Sequence, residues 1–184
     1  MSKFHSDYMI TMKDIVKEGD PILRKKLAPV EFPVSNQVKE ELACMLTYLQ
    51  NSQNAEIAKK YKLRPGSGLS ANQIGLNKRM FTVLYHESNG EQKALKIINP
   101  ELISHSPHTI YLPEGEGCLS VDREILGHVP RYERIKIAAY DEMGEKHTYR
   151  FNGYSAILIQ HEMDHLNGIM FYDHINKESP FLNV

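Results

Sequence analysis

The stretch Tyr154-Ser155-Ala156-Ile157-Leu158-Ile159-Gln160-His161-Glu162-Met163-Asp164-His165-Leu166 has an apolar first half and an ionisable second half. Asn152-Gly153 breaks the chain before it and Asn167-Gly168 supplies a stop after it, so its length and spacing predict one helix. Ile157, Leu158 and Ile159 are consecutive and leave no polar face there, which marks a buried helix. Upstream, Ile135–Tyr140 and Lys146–Phe151 flank Asp141-Glu142-Met143-Gly144, a hairpin signal. Met80–Tyr85 and Leu95–Ile98 read as strands either side of a Ser88-Asn89-Gly90 turn. Gln37–Gln50 predicts an amphipathic helix with Val38, Leu42, Met45 and Leu49 on one stripe and Cys44 off it. Asn51–Pro65 is polar and reads as an irregular surface excursion. A helix, then strands, then one buried helix predicts an α+β fold, with antiparallel or mixed strands packed around the C-terminal helix. The 184 residues suit a single catalytic domain over 1–184.

His161-Glu162-Met163-Asp164-His165 is an H-E-x-x-H pattern. Residues four apart share a helix face, with Cβ atoms roughly 5–6 Å apart, so two imidazoles can reach one ion. Glu162, one residue along, can stand at the edge of such a site as acid/base without ligating. Ordinary salt-bridged surface residues could match the same five positions, but this helix is apolar on its N-terminal side. Histidines and carboxylates buried there with no ion would be costly. A third ligand is needed. The protease continuation H-E-x-x-H-x-x-G-x-x-H finds Gly168 but then Phe171, which cannot ligate, and His174 misses the register. Glu178 lies in a tail flanked by Pro180, without room for a second ligand helix. The third ligand is therefore expected upstream, in Glu114-Gly115-Glu116-Gly117-Cys118-Leu119-Ser120. Cys118 is the candidate, because a thiolate suits zinc or iron. Two imidazoles and one thiolate leave a fourth position open, the mark of a catalytic site. A structural zinc would need a fourth protein ligand, and Cys44 is the only spare thiol.

Composition narrows the function further. A net charge of -1 gives no global field toward nucleic acid or an acidic membrane. Two cysteines are too few for a disulfide framework. Met1–Asp20 has no apolar run of signal-peptide length, and no stretch approaches the ~20 apolar residues of a membrane span. A cytoplasmic protein with no membrane or nucleic-acid specificity is expected.

At these residues the chain resembles the peptide deformylases. Gly66–Gln73 matches G-x-G-L-[AS]-A-x-Q, Glu116–Ser120 matches E-G-C-L-S, and Gln160–Leu166 carries the H-E-x-x-H. The polar segment before Gly66, the Glu114-Gly115 doubling and Gly19-Asp20-Pro21-Ile22-Leu23-Arg24 resemble the type II branch of Gram-positive bacteria. The resemblance implies hydrolysis of the formyl group of N-formylmethionyl nascent peptides near the ribosome. It implies one divalent metal, natively Fe2+, with Ni2+, Co2+ or Zn2+ able to substitute. It also implies two oxyanion donors, the Gln73 side-chain amide and the Leu119 backbone N–H. Ile157 and Leu158, four and three residues before His161, are expected to wall a methionine pocket, although plain core explains them equally well. Ser67, Gly68 and Gly117 are expected along an extended peptide that pairs with strand edges. Asp164 is expected to support the site by pairing with Arg131. Ser70 stands where alanine is commoner in the first motif and is expected to be silent. The tail after Tyr172, with Pro180, is not expected to form a long C-terminal helix.

Overall fold

A computed structural model describes residues 2–182. Two helices come first, α1 (Asn36–Gln53) and α2 (Ala55–Tyr61). Strands β1 (Gly68–Ser70), β2 (Met80–His86), β3 (Gln92–His105), β4 (Thr109–Ile110), β5 (Arg131–Tyr132), β6 (Arg134–Tyr140) and β7 (Lys146–Asn152) follow. The helix α3 (Gly153–Leu166) comes after them. β1-β2-β3-β6-β7 form one sheet, antiparallel at every pairing, and β4-β5 form a small second one. The expected α+β architecture holds, with the strands wholly antiparallel.

The helices pack on the sheet as their apolar residues require. β2 is buried at every position from Met80 to Tyr85, so both its faces are covered, and α1 and α3 both pack on it. Ala156 and Ile159 of α3 are fully buried. α1 begins at Ser35, whose hydroxyl accepts from Val38 N at 3.3 Å, a standard N-cap. Its buried face is wider than the predicted stripe. Cys44, expected off that stripe, is fully buried, as are Glu41 and Tyr48. The reason is a second covering layer: the Cys44 thiol donates to Tyr8 O at 3.0 Å in the N-terminal segment. Glu41 is tolerated there by its ion pair with Lys78.

Asn51–Pro65 is not irregular, as the sequence suggested. It holds the end of α1 and all of α2. Asn54 caps α2 by accepting from Glu56 N and Ile57 N, each at 3.1 Å. α2 buries no residue, so no apolar stripe announces it in the sequence. β3 also runs well beyond the expected Leu95–Ile98. It passes through Asn99-Pro100, where Asn99 takes φ 48 and the pairing with β6 shifts register.

Three long-range contacts bring the site segments together. Val16 N donates to Gln73 O and Glu18 N to Ser120 O, both at 2.8 Å, so one N-terminal segment spans two of the motifs. Leu27 N donates to Leu166 O at 2.9 Å and so answers an end carbonyl of α3. Past His174 no helix occurs among the described residues, in keeping with Pro180. Among the described residues no helix is long and apolar enough to cross a membrane.

Gly168 closes α3 at φ 73, and a Cβ there would overlap the carbonyl of Arg24. The left-handed backbone and the overlap should make Gly168→Ala cost roughly 2 kcal/mol or more. Denaturant unfolding measures it; a loss below about 0.5 kcal/mol, the scale of a neutral surface change, would show that this approach does not constrain the fold.

Candidate metal centre and active site

α3 puts His161 and His165 one turn apart, with ring centroids at 5.0 Å. Cys118 arrives from the loop between β4 and β5. One ligand atom from each of Cys118, His161 and His165 lies within 4.8 Å of the others. Cys118 Sγ stands 3.3 Å from His165 Nε2. His161 Nδ1 is 2.8 Å from Glu116 Oε2, which leaves Nε2 free to ligate. Burial alone would push the Cys118 thiol up, but the facing imidazoles of His165 and His161 hold it well below the usual thiol range. Burial likewise opposes charge on His161, yet Cys118 and Glu116 raise it well above the usual imidazole value. An ionised thiol beside two imidazoles fits a borderline divalent cation such as zinc or ferrous iron. Among the described residues no fourth His or Cys joins this group, so the site is open. Cys44 is far from it in role: buried in the core, its thiol is pushed up to about 11.

The Cys118 loop is tied down on its outer side. Arg64 donates to the carbonyls of Cys118 and Val121, both at 3.2 Å, and Lys17 Nζ donates to Leu119 O at 3.0 Å. The sulfur itself receives Ser120 N at 3.4 Å and Gln73 Nε2 at 3.3 Å. Gln73 sits in the 3-10 turn Ala71–Ile74, and its Oε1 accepts from Ser70 N at 2.9 Å.

Behind His161 runs a chain of buried charges. Arg131 grips Glu116 with two hydrogen bonds, at 2.8 and 2.9 Å, and also donates to Asp164. Burial opposes the Glu116 charge, but Arg131 and His161 bring its carboxyl down to about 2. His174, which missed the ligand register, instead contacts Asp164 at 2.8 Å. The pairing of Asp164 with Arg131 agrees with the sequence reading. Glu116 was missed as the partner of His161. Its signal was a carboxylate two residues before the candidate ligand, among glycines.

Glu162 is buried, and burial pushes its carboxyl above the usual range. It lies against Gly68, where any side chain would overlap its Oε1. The missing side chain of Gly68 thus makes room for the carboxylate. A Cβ at Gly117 would meet nothing within 4 Å, so the backbone there faces open space. Ser70, expected to be silent, is fully buried and donates to Glu162 Oε2 at 2.6 Å.

Part of this group, Ser70 excepted, lines a cavity of about 260 Å³. Ser67, Gly68, Gln73, Gly117, Cys118, Leu119, Ile157, Leu158, His161 and Glu162 all reach its wall. His165, Asp164 and Arg131 do not line it. The sequence reading missed Tyr154 and Leu112 on that wall. Tyr154 precedes His161 by seven residues, two turns along the same face, and its hydroxyl donates to Ser67 Oγ at 3.0 Å.

Comparison with known proteins agrees with this geometry. The sequence model of the polypeptide deformylase family matches residues 12–181. The peptide deformylase of Latilactobacillus sakei is 54% identical over 175 residues, covering 94% of this chain and 95% of that protein. Peptide deformylase 2 of Bacillus subtilis is 51% identical over 173 residues, covering 94% of each. The crystal structure of peptide deformylase from Thermotoga maritima superposes with a TM-score of 0.71 at 32% identity, covering 92% of this chain and 99% of that one. With residues 12–181 matched and more than half of the aligned positions shared with a full-length relative, this chain belongs to the polypeptide deformylase family.

Proposed function

We propose that this chain removes the formyl group from N-formylmethionyl peptides, with Cys118, His161 and His165 holding one divalent metal and Glu162 moving the proton. The observation that carries the reading is the convergence of those three ligand atoms within 4.8 Å, with Cys118 and His161 on the wall of a cavity that Glu162 also lines. A divalent ion with an open position, when bound, supplies a Lewis acid and lowers the pKa of water.

The residues of the chain do the rest. Glu162 takes a proton from the attacking water as oxygen adds to the formyl carbon. It then delivers that proton to the leaving amine as the C–N bond breaks, so that formate and a free amino terminus result. The Gln73 amide and the Leu119 backbone N–H donate to the oxyanion that develops between these steps. Ile157 and Leu158 hold the methionine side chain, while Ser67, Gly68 and Gly117 let the peptide backbone run alongside in extended form. Arg131 and Asp164, through Glu116, fix the ring of His161. Iron is the metal we assign natively, supported by the thiolate–imidazole donors and the family. We assign the enzyme to the cytoplasm, near the ribosome, because its substrate would be a formylated nascent chain.

Glu162→Ala should keep its metal and lose nearly all turnover on a formyl-Met dipeptide, measured by elemental analysis and formate release. Equal loss of metal and turnover would remove Glu162 from the proton role. A parent enzyme that cuts an internal bond of an unformylated peptide, and leaves the formyl group, would instead identify an endopeptidase. Cys118→Ser should lose or weaken the metal while Cys44→Ser retains full stoichiometry; metal loss in the Cys44 variant would refute the ligand set. Iron-loaded enzyme should lose activity in air and keep it under anaerobic handling, because both ferrous ion and thiolate are open to oxidants. Zinc-loaded enzyme should survive air, since zinc has no redox chemistry, and the resemblance to the family implies that it turns over more slowly. Half-lives of both forms with and without air decide this. Zinc-loaded enzyme as fast as iron-loaded would leave zinc as the cofactor.

A further inference from the structure

We propose that Ser70 is a positioning residue for the reaction, its hydroxyl holding one oxygen of Glu162 so that the other is presented at the cavity. The inference rests on the reading of Glu162 as the proton carrier. Ser70 ends β1 and is fully buried. Its Oγ lies 2.6 Å from Glu162 Oε2 and 3.2 Å from Glu162 O. A hydroxyl has one proton to give. The carboxylate is the stronger acceptor, and 2.6 Å is the separation of a charge-assisted O–H···O bond, so the proton points at Oε2. The other oxygen, Oε1, lies over Gly68, a residue of the cavity wall. The two oxygens therefore have different surroundings: one anchored in the protein, the other beside the space where a peptide would lie.

Ser70 also orients the second polar group of the site. Its backbone N–H holds Gln73 Oε1 at 2.9 Å, which turns Gln73 Nε2 toward Cys118 Sγ at 3.3 Å. One residue thus sets two side chains, the main chain setting Gln73 and the hydroxyl setting Glu162. A glutamate has three rotatable side-chain bonds, and a proton carrier works only when held close to its productive geometry. Ser70→Ala removes the hydroxyl alone. The strand, its N–H to Gln73 and the ligands are untouched, so the variant isolates the hold on Glu162.

The test compares parent, Ser70→Ala and Glu162→Gln loaded with the same divalent metal. Metal stoichiometry, kcat and KM on a formyl-Met dipeptide are measured, and the Ser70→Ala crystal structure is solved. The expected result for Ser70→Ala is unchanged metal, KM within about twofold, and kcat down roughly tenfold, the scale of one hydrogen bond to a charged group. The Glu162 carboxylate should then occupy more than one position in the crystal. A kcat within about twofold of the parent, or activity lost only in proportion to metal or folded protein, overturns the proposal. An inactive Glu162→Gln beside a fully active Ser70→Ala sinks Ser70 alone. A Glu162→Gln enzyme that keeps most of its turnover removes the proton role and takes this inference with it.

Discussion

An ionised thiol between two imidazoles can persist inside a protein only if the charge around it is answered, and the site is built to meet that demand. Taking an ion out of water costs roughly several kcal/mol even after relaxation. Cys118 is answered by the two histidines, by Ser120 N and by the Gln73 amide. His161 is answered by Glu116, and Glu116 by the Nε–Nη2 edge of the Arg131 guanidinium. Arg131 has a second carboxylate in Asp164, which in turn meets the partly exposed His174. The line of alternating charge therefore starts at the ligands and ends near solvent. Its inner end is the group formed by Cys118, His161 and His165, whose ligand atoms stand close enough to hold one cation.

That line also shows what orients the two histidines of α3. A ring that ligates through one nitrogen is oriented by whatever binds the other. For His161 this is a carboxylate clamped by two guanidinium bonds, both partners almost completely buried. His165 is held differently, by its place in the last turn of α3, where Asn72 donates to its carbonyl at 2.8 Å. One histidine is thus fixed through its side chain and the other through its backbone.

The surroundings of Glu162 are made by the close approach of β1 to α3. Gly68 lets the strand lie against the Glu162 carboxylate, and Ser70, two residues on and so on the same face of the strand, bonds to it. Between them Leu69 is buried in the core. A three-residue strand thus does two things by alternation: one face supports the helix, the other reaches the core. The cavity lies beside this approach, lined by Ile157 and Leu158 from α3 and by the hydrogen-bonded pair Tyr154 and Ser67.

Much of this was legible in the sequence, because it depends on local spacing. Two histidines four apart on an apolar helix share a face whatever surrounds them, and a lone cysteine among glycines is a rare donor. The α3 bounds, the Asp141–Gly144 hairpin and β2 likewise rest on periodicity and turn chemistry. What failed was whatever periodicity does not encode. α2 buries nothing and so leaves no stripe; Cys44 is buried by an N-terminal segment remote in sequence. Glu116 and Ser70 were visible as residues but not as partners. His161 lies 45 positions from Glu116, and Glu162 lies 92 from Ser70. The sequence by itself determined the fold class and the helix that carries both histidines. Only the tertiary structure decided which buried group answers which charge, because that depends on distances between segments which chain order does not contain.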